Sequence, residues 1–232
     1  MVLSPPPGLR SSGFTLLELV VACGMLGILI IALFQAFDYG SNAFQQASSR
    51  QDAQGQATRV YTGLRDELRQ SHFWMVSSVD RAVNVDGAEF DRDALVFGGL
   101  RDWSDPTNFD QVNGLPEWNR YMLYYGTQET DYGKLVRATV DPPWMDSDHS
   151  PAPFHDMEPE RYLKDDPAAN TGHQTSYRIL TEDLLEFKVS LDPAVDIVSV
   201  RCAFEKERKG QKDRSEFEIK VFPQNTWPKG GQ

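Results

Sequence analysis

The stretch SSGFTLLELVVACGMLGILIIALF, residues 11–34, decides how the chain is read. From Leu19 to Phe37 no residue is charged and only Gln35 is clearly polar, a run of 19 positions. As a helix rising about 1.5 Å per residue, such a run nearly crosses a hydrocarbon core. One acid, Glu18, stands directly against it. A carboxylate near the centre of a span costs about 2.5–3.5 kcal/mol, so its presence at the edge of this one calls for a compensating group. No second run of this kind occurs, and a mean hydropathy of −0.47 predicts a single-pass protein with a sizeable polar remainder.

Working outward, the apolar run passes into a mostly small and polar stretch, residues 38–52, and then into a stripe. Ala53, Ala57, Val60, Tyr61, Leu64 and Leu68 recur at helical spacing. No proline lies between Pro7 and Pro106, so a helix from Phe14 to about Ser71 meets no proline break, although Gly40, Gly55 and Gly63 soften it. If continuous it is roughly 85 Å long, far more than a bilayer needs, which places its second half outside.

Beyond the stripe the period changes to two. Ala94 to Phe97, Arg120 to Tyr125, Leu135 to Val140 and Phe187 to Leu191 are β-prone and bounded by turn-forming residues. The clearest strands are the last pair. Val198, Val200, Cys202 and Phe204 alternate with polar or small neighbours, as do Phe217, Ile219 and Val221, and the charged link around Arg208 to Lys212 suits a hairpin. Antiparallel strands with one face buried under the helical stripe predict an α+β fold, a long N-terminal transmembrane and amphipathic helix packed on an antiparallel sheet.

The 232 residues suffice for one sizeable domain plus an anchor. With 34 acids against 23 bases the formal charge is −11, which disfavours nucleic acid as a partner, because phosphate binding needs clustered Lys and Arg. The two cysteines, Cys23 in the apolar run and Cys202 in a strand, would have to join membrane to soluble domain to form a disulfide. No CxxC suggests zinc or redox chemistry.

Three readings of the N-terminus are open on these residues. A cleaved secretory signal would use Ser41-Asn42-Ala43, but the run exceeds the usual apolar region and begins with an acid. An uncleaved signal anchor would carry Glu18 merely as an acid favoured near a helix N-terminus. The third starts from Gly13-Phe14-Thr15-Leu16-Leu17-Glu18, preceded by a short polar leader and followed at once by the apolar helix. This order resembles the processing site of type IV pilins and of the pseudopilins of type II secretion. The resemblance implies a pilin-like fold and a prepilin peptidase that cuts between Gly13 and Phe14 and N-methylates Phe14. Glu18 would then pair with the new α-amine of a neighbouring subunit, so that two costly charges offset one another in low dielectric.

On this reading residues 1–13 are the leader, 14–37 the transmembrane half-helix, 38–72 the periplasmic half-helix and 73–232 the β-rich domain. Further along, Leu64-Arg65-Asp66-Glu67-Leu68-Arg69-Gln70, Ala94-Leu95-Val96-Phe97, Tyr124-Tyr125 followed by Gly133-Lys134-Leu135-Val136-Arg137, and Leu184-Leu185-Glu186-Phe187 resemble the J-type minor pseudopilins or the similar W-type minor pilins. This implies a subunit of the inner membrane, its C-terminal domain periplasmic, that joins other pseudopilins or pilins in type II secretion or in a type IV pilus for adhesion or motility.

Residues 141–173 are acidic and proline-rich, with eight acids against two bases, and read as a long surface loop. Asp146, Asp148, His149, His155, Asp156 and Glu158 offer the donors of a calcium site, and a membrane-anchored module binding calcium or a partner is the alternative to a filament subunit. A solvated run of mutually repelling acids is the plainer reading, and no EF-hand spacing is present. His72 is expected to sit near the helix end. Of Tyr121, Tyr124 and Tyr125, which fall on both faces of one strand, at least one is expected to be exposed; Trp74, Trp103, Trp118 and Trp144 are expected in the core or as loop anchors. No GxSxG, HExxH or P-loop occurs, so neither catalytic residues nor a cofactor are predicted.

Overall fold

The computed structural model describes residues 15–112, 114–141, 161–170, 174–208 and 211–224. The chain divides into two units, Met1–Arg50 and Gln51–Gln232. A single α-helix, α1, runs Leu16–Arg69 without interruption at Gly40, Gly55 or Gly63. Helix and strands together make the protein α+β, with one helix near the N-terminus long and apolar enough to cross a membrane.

In the first unit the side chains from Leu16 to Phe37 are exposed, Gly27 being half-buried. Leu17, Leu29 and Phe34, for example, leave 73%, 61% and 67% of their surface open. In the second unit the stripe turns inward: Ala57, Val60, Leu64 and Leu68 are buried in the principal apolar cluster. The last turn tightens through bonds from Gln70 N to Glu67 O (3.2 Å) and Ser71 N to Leu68 O (3.1 Å), and Gln224 N donates to the otherwise orphaned Arg69 carbonyl at 2.8 Å. His72 then caps the short 3-10 turn Phe73–Met75, its side chain accepting from Trp74 N.

Among its described residues the second unit holds nine strands: β1 (Ser77–Val79), β2 (Ala82–Val85), β3 (Ala88–Asp91), β4 (Ala94–Gly99), β5 (Arg120–Gly126), β6 (Gly133–Val140), β7 (Gln174–Asp192), β8 (Ile197–Arg208) and β9 (Gln211–Val221). Seven form one antiparallel sheet in the order β1-β4-β5-β6-β7-β8-β9, and β2 and β3 form a separate hairpin. That hairpin turns on Asp86 and Gly87, both with positive φ (51° and 85°), the Asp-Gly pair that a tight two-residue turn requires. The β8–β9 hairpin is longer than its alternation suggested, because Lys212, read as part of the link, pairs with Glu207 inside the ladder.

Two expectations fail for one reason: over β4, β5 and β6 the sheet has two covered faces rather than one. On one face, Leu95, Phe97, Met122, Tyr124 and Leu135 join the cluster that contains the α1 stripe. On the other, Ala94, Val96, Tyr121, Leu123, Tyr125, Val136, Ala138 and Val140 form a second cluster with Tyr162 and Leu163. Tyr121, Tyr124 and Tyr125 are therefore all buried, against the expectation that one would be exposed.

The described part of the acidic segment is correspondingly not an open loop. Residues 161–170 lie on the second face, where Tyr125 Oη and Arg81 Nη2 donate to the carbonyls of Lys164 (3.1 Å) and Leu163 (3.1 Å), and Gln128 N donates to Asp165 (2.6 Å).

Candidate functional site

Gly13 and Phe14 lie outside the described residues. Four residues on, Glu18 is not simply an acid at the edge of a span. Thr15 N and Thr15 Oγ1 each donate to Glu18 Oε2 at 2.9 Å, and Glu18 N donates back to Thr15 Oγ1 at 3.3 Å. This is a capping box, in which residues three apart satisfy the first orphan amides of a helix. Both bonds to the carboxylate converge on Oε2, which leaves Oε1 as the oxygen able to take a further donor without opening the cap. Its local sequence signature is Thr15-Leu16-Leu17-Glu18, a cap residue followed three positions later by Glu.

At the other end of α1, Glu67 ties helix to sheet. Its carboxylate accepts from Arg137 Nε (2.9 Å), is paired with Arg137 Nη2 (2.8 Å), and accepts from Tyr124 Oη (2.8 Å). Burial beside Glu67 pushes the Tyr124 phenol far above its ordinary range, so it remains a donor at any physiological pH. The partners come from α1, β5 and β6, separated by up to 70 residues, and no local pattern announces them.

Beside this clamp lies a hollow of about 190 Å³ bounded by Gly98, Gly99, Leu100, Trp103, Met122 and the polar ends of Glu67, Gln70, Arg120 and Arg137. Arg120 holds Asp141 in a two-point pair, Nε to Oδ1 at 2.7 Å and Nη2 to Oδ2 at 3.1 Å, and Arg101 shares the same acid at 3.2 Å. Trp103 is 42% exposed and packs edge-on against Trp118 at 6.2 Å and against Phe109 at the same distance. It anchors its loop, as expected, while Trp74 is exposed and Trp144 lies outside the described residues.

A third cluster, around Arg92, is structural. This arginine is fully buried and donates to the carbonyls of Leu185 (2.8 Å), Thr127 (2.9 Å) and Asp131 (3.2 Å). Burial pulls its guanidinium down to about 10, which leaves it charged at neutral pH and held by backbone dipoles. A Cβ at Gly133 would overlap that guanidinium, so this position of β6 accepts only glycine. Neighbouring Asp93 accepts from Arg81 N (3.0 Å) and Val189 N (2.8 Å) and joins β4 to β7.

Among the described residues no group of three or more His, Cys, Asp or Glu is placed to hold a metal ion. The candidate calcium donors Asp146, Asp148, His149, His155, Asp156 and Glu158 lie outside them. Cys202 is buried and Cys23 exposed, both as free thiols. Comparison of the chain with protein-family models, with curated proteins and with solved structures finds no match in any of the three.

Proposed function

We propose that the chain is a pilin-like subunit, a minor pseudopilin or minor pilin, whose work is mechanical rather than catalytic. A prepilin peptidase would remove Met1 to Gly13 and N-methylate Phe14. The mature chain would stay anchored in the inner membrane, with its β-rich domain in the periplasm, and join other pseudopilins or pilins through its N-terminal helix. Type II secretion is the favoured setting; a type IV pilus is the alternative.

The observation that carries the reading is the character of α1 taken with the Gly13-Phe14 motif ahead of it. One helix begins with an exposed apolar surface on every side and ends with a stripe buried against a sheet. An apolar surface of that extent is stable only in lipid or against other apolar helices. The Glu18 cap supports the pairing role as well. Oε2 serves the helix itself and Oε1 takes no part in the two Thr15 bonds, so on this reading Oε1 would accept the Phe14 amine of a neighbour without opening the cap.

Co-expression with an active prepilin peptidase, followed by cross-linking in membranes, tests this. The processed chain is expected in cross-linked assemblies with other pseudopilins or pilins, and an inactive peptidase is expected to leave the longer precursor outside them. Identical migration with either peptidase would remove the reading.

A further inference from the structure

The hollow beside Trp103 has features that neither membrane anchoring nor helix assembly requires. The chain carries a net charge of −11, yet here three guanidinium groups, from Arg101, Arg120 and Arg137, meet two carboxylates, from Asp141 and Glu67. Counted over these five groups, the balance is one positive charge. Asp141 is shared by two arginines, so Arg120 can turn toward the hollow while Arg101 keeps that acid paired. Arg137 has less freedom, because Glu67 and Tyr124 hold it within the clamp.

The hollow is also lined by Trp103, Leu100 and Met122, apolar side chains of which only the indole is substantially exposed. At about 190 Å³ the space falls below the several hundred Å³ of a small-molecule pocket and suits one or two side chains.

We propose that this hollow is a docking socket for an acidic peptide segment of a partner protein. A Glu or Asp of that segment is received two-point by Arg120, and a neighbouring apolar side chain lies on the Trp103 indole. A planar guanidinium matches a carboxylate through two parallel hydrogen bonds, and an indole gives a large apolar contact at low entropic cost. Arg101 acts as a positioning residue, holding Asp141 when Arg120 leaves it. The socket stands whether or not the chain is a filament subunit.

The test uses the full chain in detergent micelles and follows the Trp103 indole N–H by NMR, with Trp103→Phe identifying its signal. The probes are a blocked Ser-Leu-Glu-Ser peptide, its glutamine counterpart, and acetate. The glutamate peptide is expected to shift the indole signal at millimolar concentration, while the glutamine peptide and acetate leave it in place. Arg120→Gln is expected to weaken binding about tenfold or more, the worth of a charge-assisted pair. Asp141→Asn is expected to tighten it severalfold by freeing Arg120, a gain that loss of structure does not produce. An equal response to both peptides, an indole unmoved by the glutamate peptide in the folded chain, or unchanged or weaker binding in Asp141→Asn would overturn the proposal. An equal shift with acetate would reduce the socket to a simple anion site and overturn the peptide assignment.

Discussion

The two halves of α1 share one backbone geometry and differ in everything that surrounds it. Between Leu19 and Phe37 the side chains, Gln35 aside, are apolar around the whole circumference and exposed, whereas between Ala57 and Leu68 only one stripe is apolar and that stripe is buried. The second half is stabilised as most helices in globular proteins are, by packing an amphipathic face. Among the described residues the first half has no buried stripe of its own, so its helix is matched to a different solvent. A helix apolar all round belongs in lipid or among other helices. The same comparison explains the two acids. Glu18 closes on its own helix end through Thr15, whereas Glu67 reaches across to Tyr124 of β5 and Arg137 of β6.

The largest effect is expected from mutating one leucine in each half. Leu64 is completely buried, and Leu64→Ala should cost about 2–5 kcal/mol of domain stability. Leu29 is 61% exposed, and Leu29→Ala should leave the same denaturation curve within about 0.5 kcal/mol. Equal effects in detergent-solubilised protein would abolish the distinction drawn between the halves.

Next in size is the clamp. Glu67→Ala strands Arg137 and the Tyr124 hydroxyl, and a loss of about 1–3 kcal/mol is expected from leaving part-buried donors unpaired. Tyr124→Phe removes one donor without stranding another and should cost less, so a larger loss in Tyr124→Phe would show that the carboxylate is not the centre of the network.

Glu18 separates capping from charge. Glu18→Ala loses its half of the capping box and also the anion. Glu18→Gln keeps a side-chain acceptor for Thr15 and loses only the charge. Both are expected to be processed and inserted normally and to be poorly incorporated into filaments. Normal incorporation of the glutamine variant would assign Glu18 to the cap alone.

The smallest effect concerns His72, beyond the end of α1. Its Nδ1 accepts from Trp74 N at 3.1 Å, which requires an unprotonated nitrogen, and burial lowers its pKa despite the opposing charge of Asp196. A histidine whose folded pKa lies below its unfolded value of about 6.5 favours the fold above that value and loses the contribution as pH falls through the folded pKa. Melting temperature should therefore fall more between pH 7 and 5 in the wild type than in His72→Asn, which retains a capping side chain. Parallel curves would mean that His72 does not titrate on unfolding.

Much of this architecture is legible in the residues, and the exceptions have physical causes. The absence of proline and the two kinds of apolar pattern predict α1 to within two residues at each end, Phe14 to about Ser71 against Leu16–Arg69. Strict alternation predicts the β8–β9 pair in the same way. The β2–β3 hairpin carried a readable Asp86-Gly87 signal between Val83, Val85 and Phe90, but its strands are too short for periodicity to stand out. In the first half of β7, Tyr177 and Ile179 alternate with Ser176 and Arg178, but both faces of Thr175 to Ile179 are exposed, so this short alternation marks no buried face. The buried tyrosines and the covered second face depend on where Tyr162 and Leu163 fold back, about 40 residues from β5, which no local pattern encodes. At the candidate sites, the Thr15–Glu18 box is local and readable, whereas Arg120 with Asp141 and Glu67 with Arg137 are created by the order of strands in the sheet.

The most direct measurement is the intact mass and N-terminal sequence of the protein purified from its native membrane. A chain beginning at N-methylated Phe14 and retaining the apolar helix is the expected result. A chain that still carries Met1 to Gly13, or one that begins at Phe44 with the helix removed, would contradict the central claim.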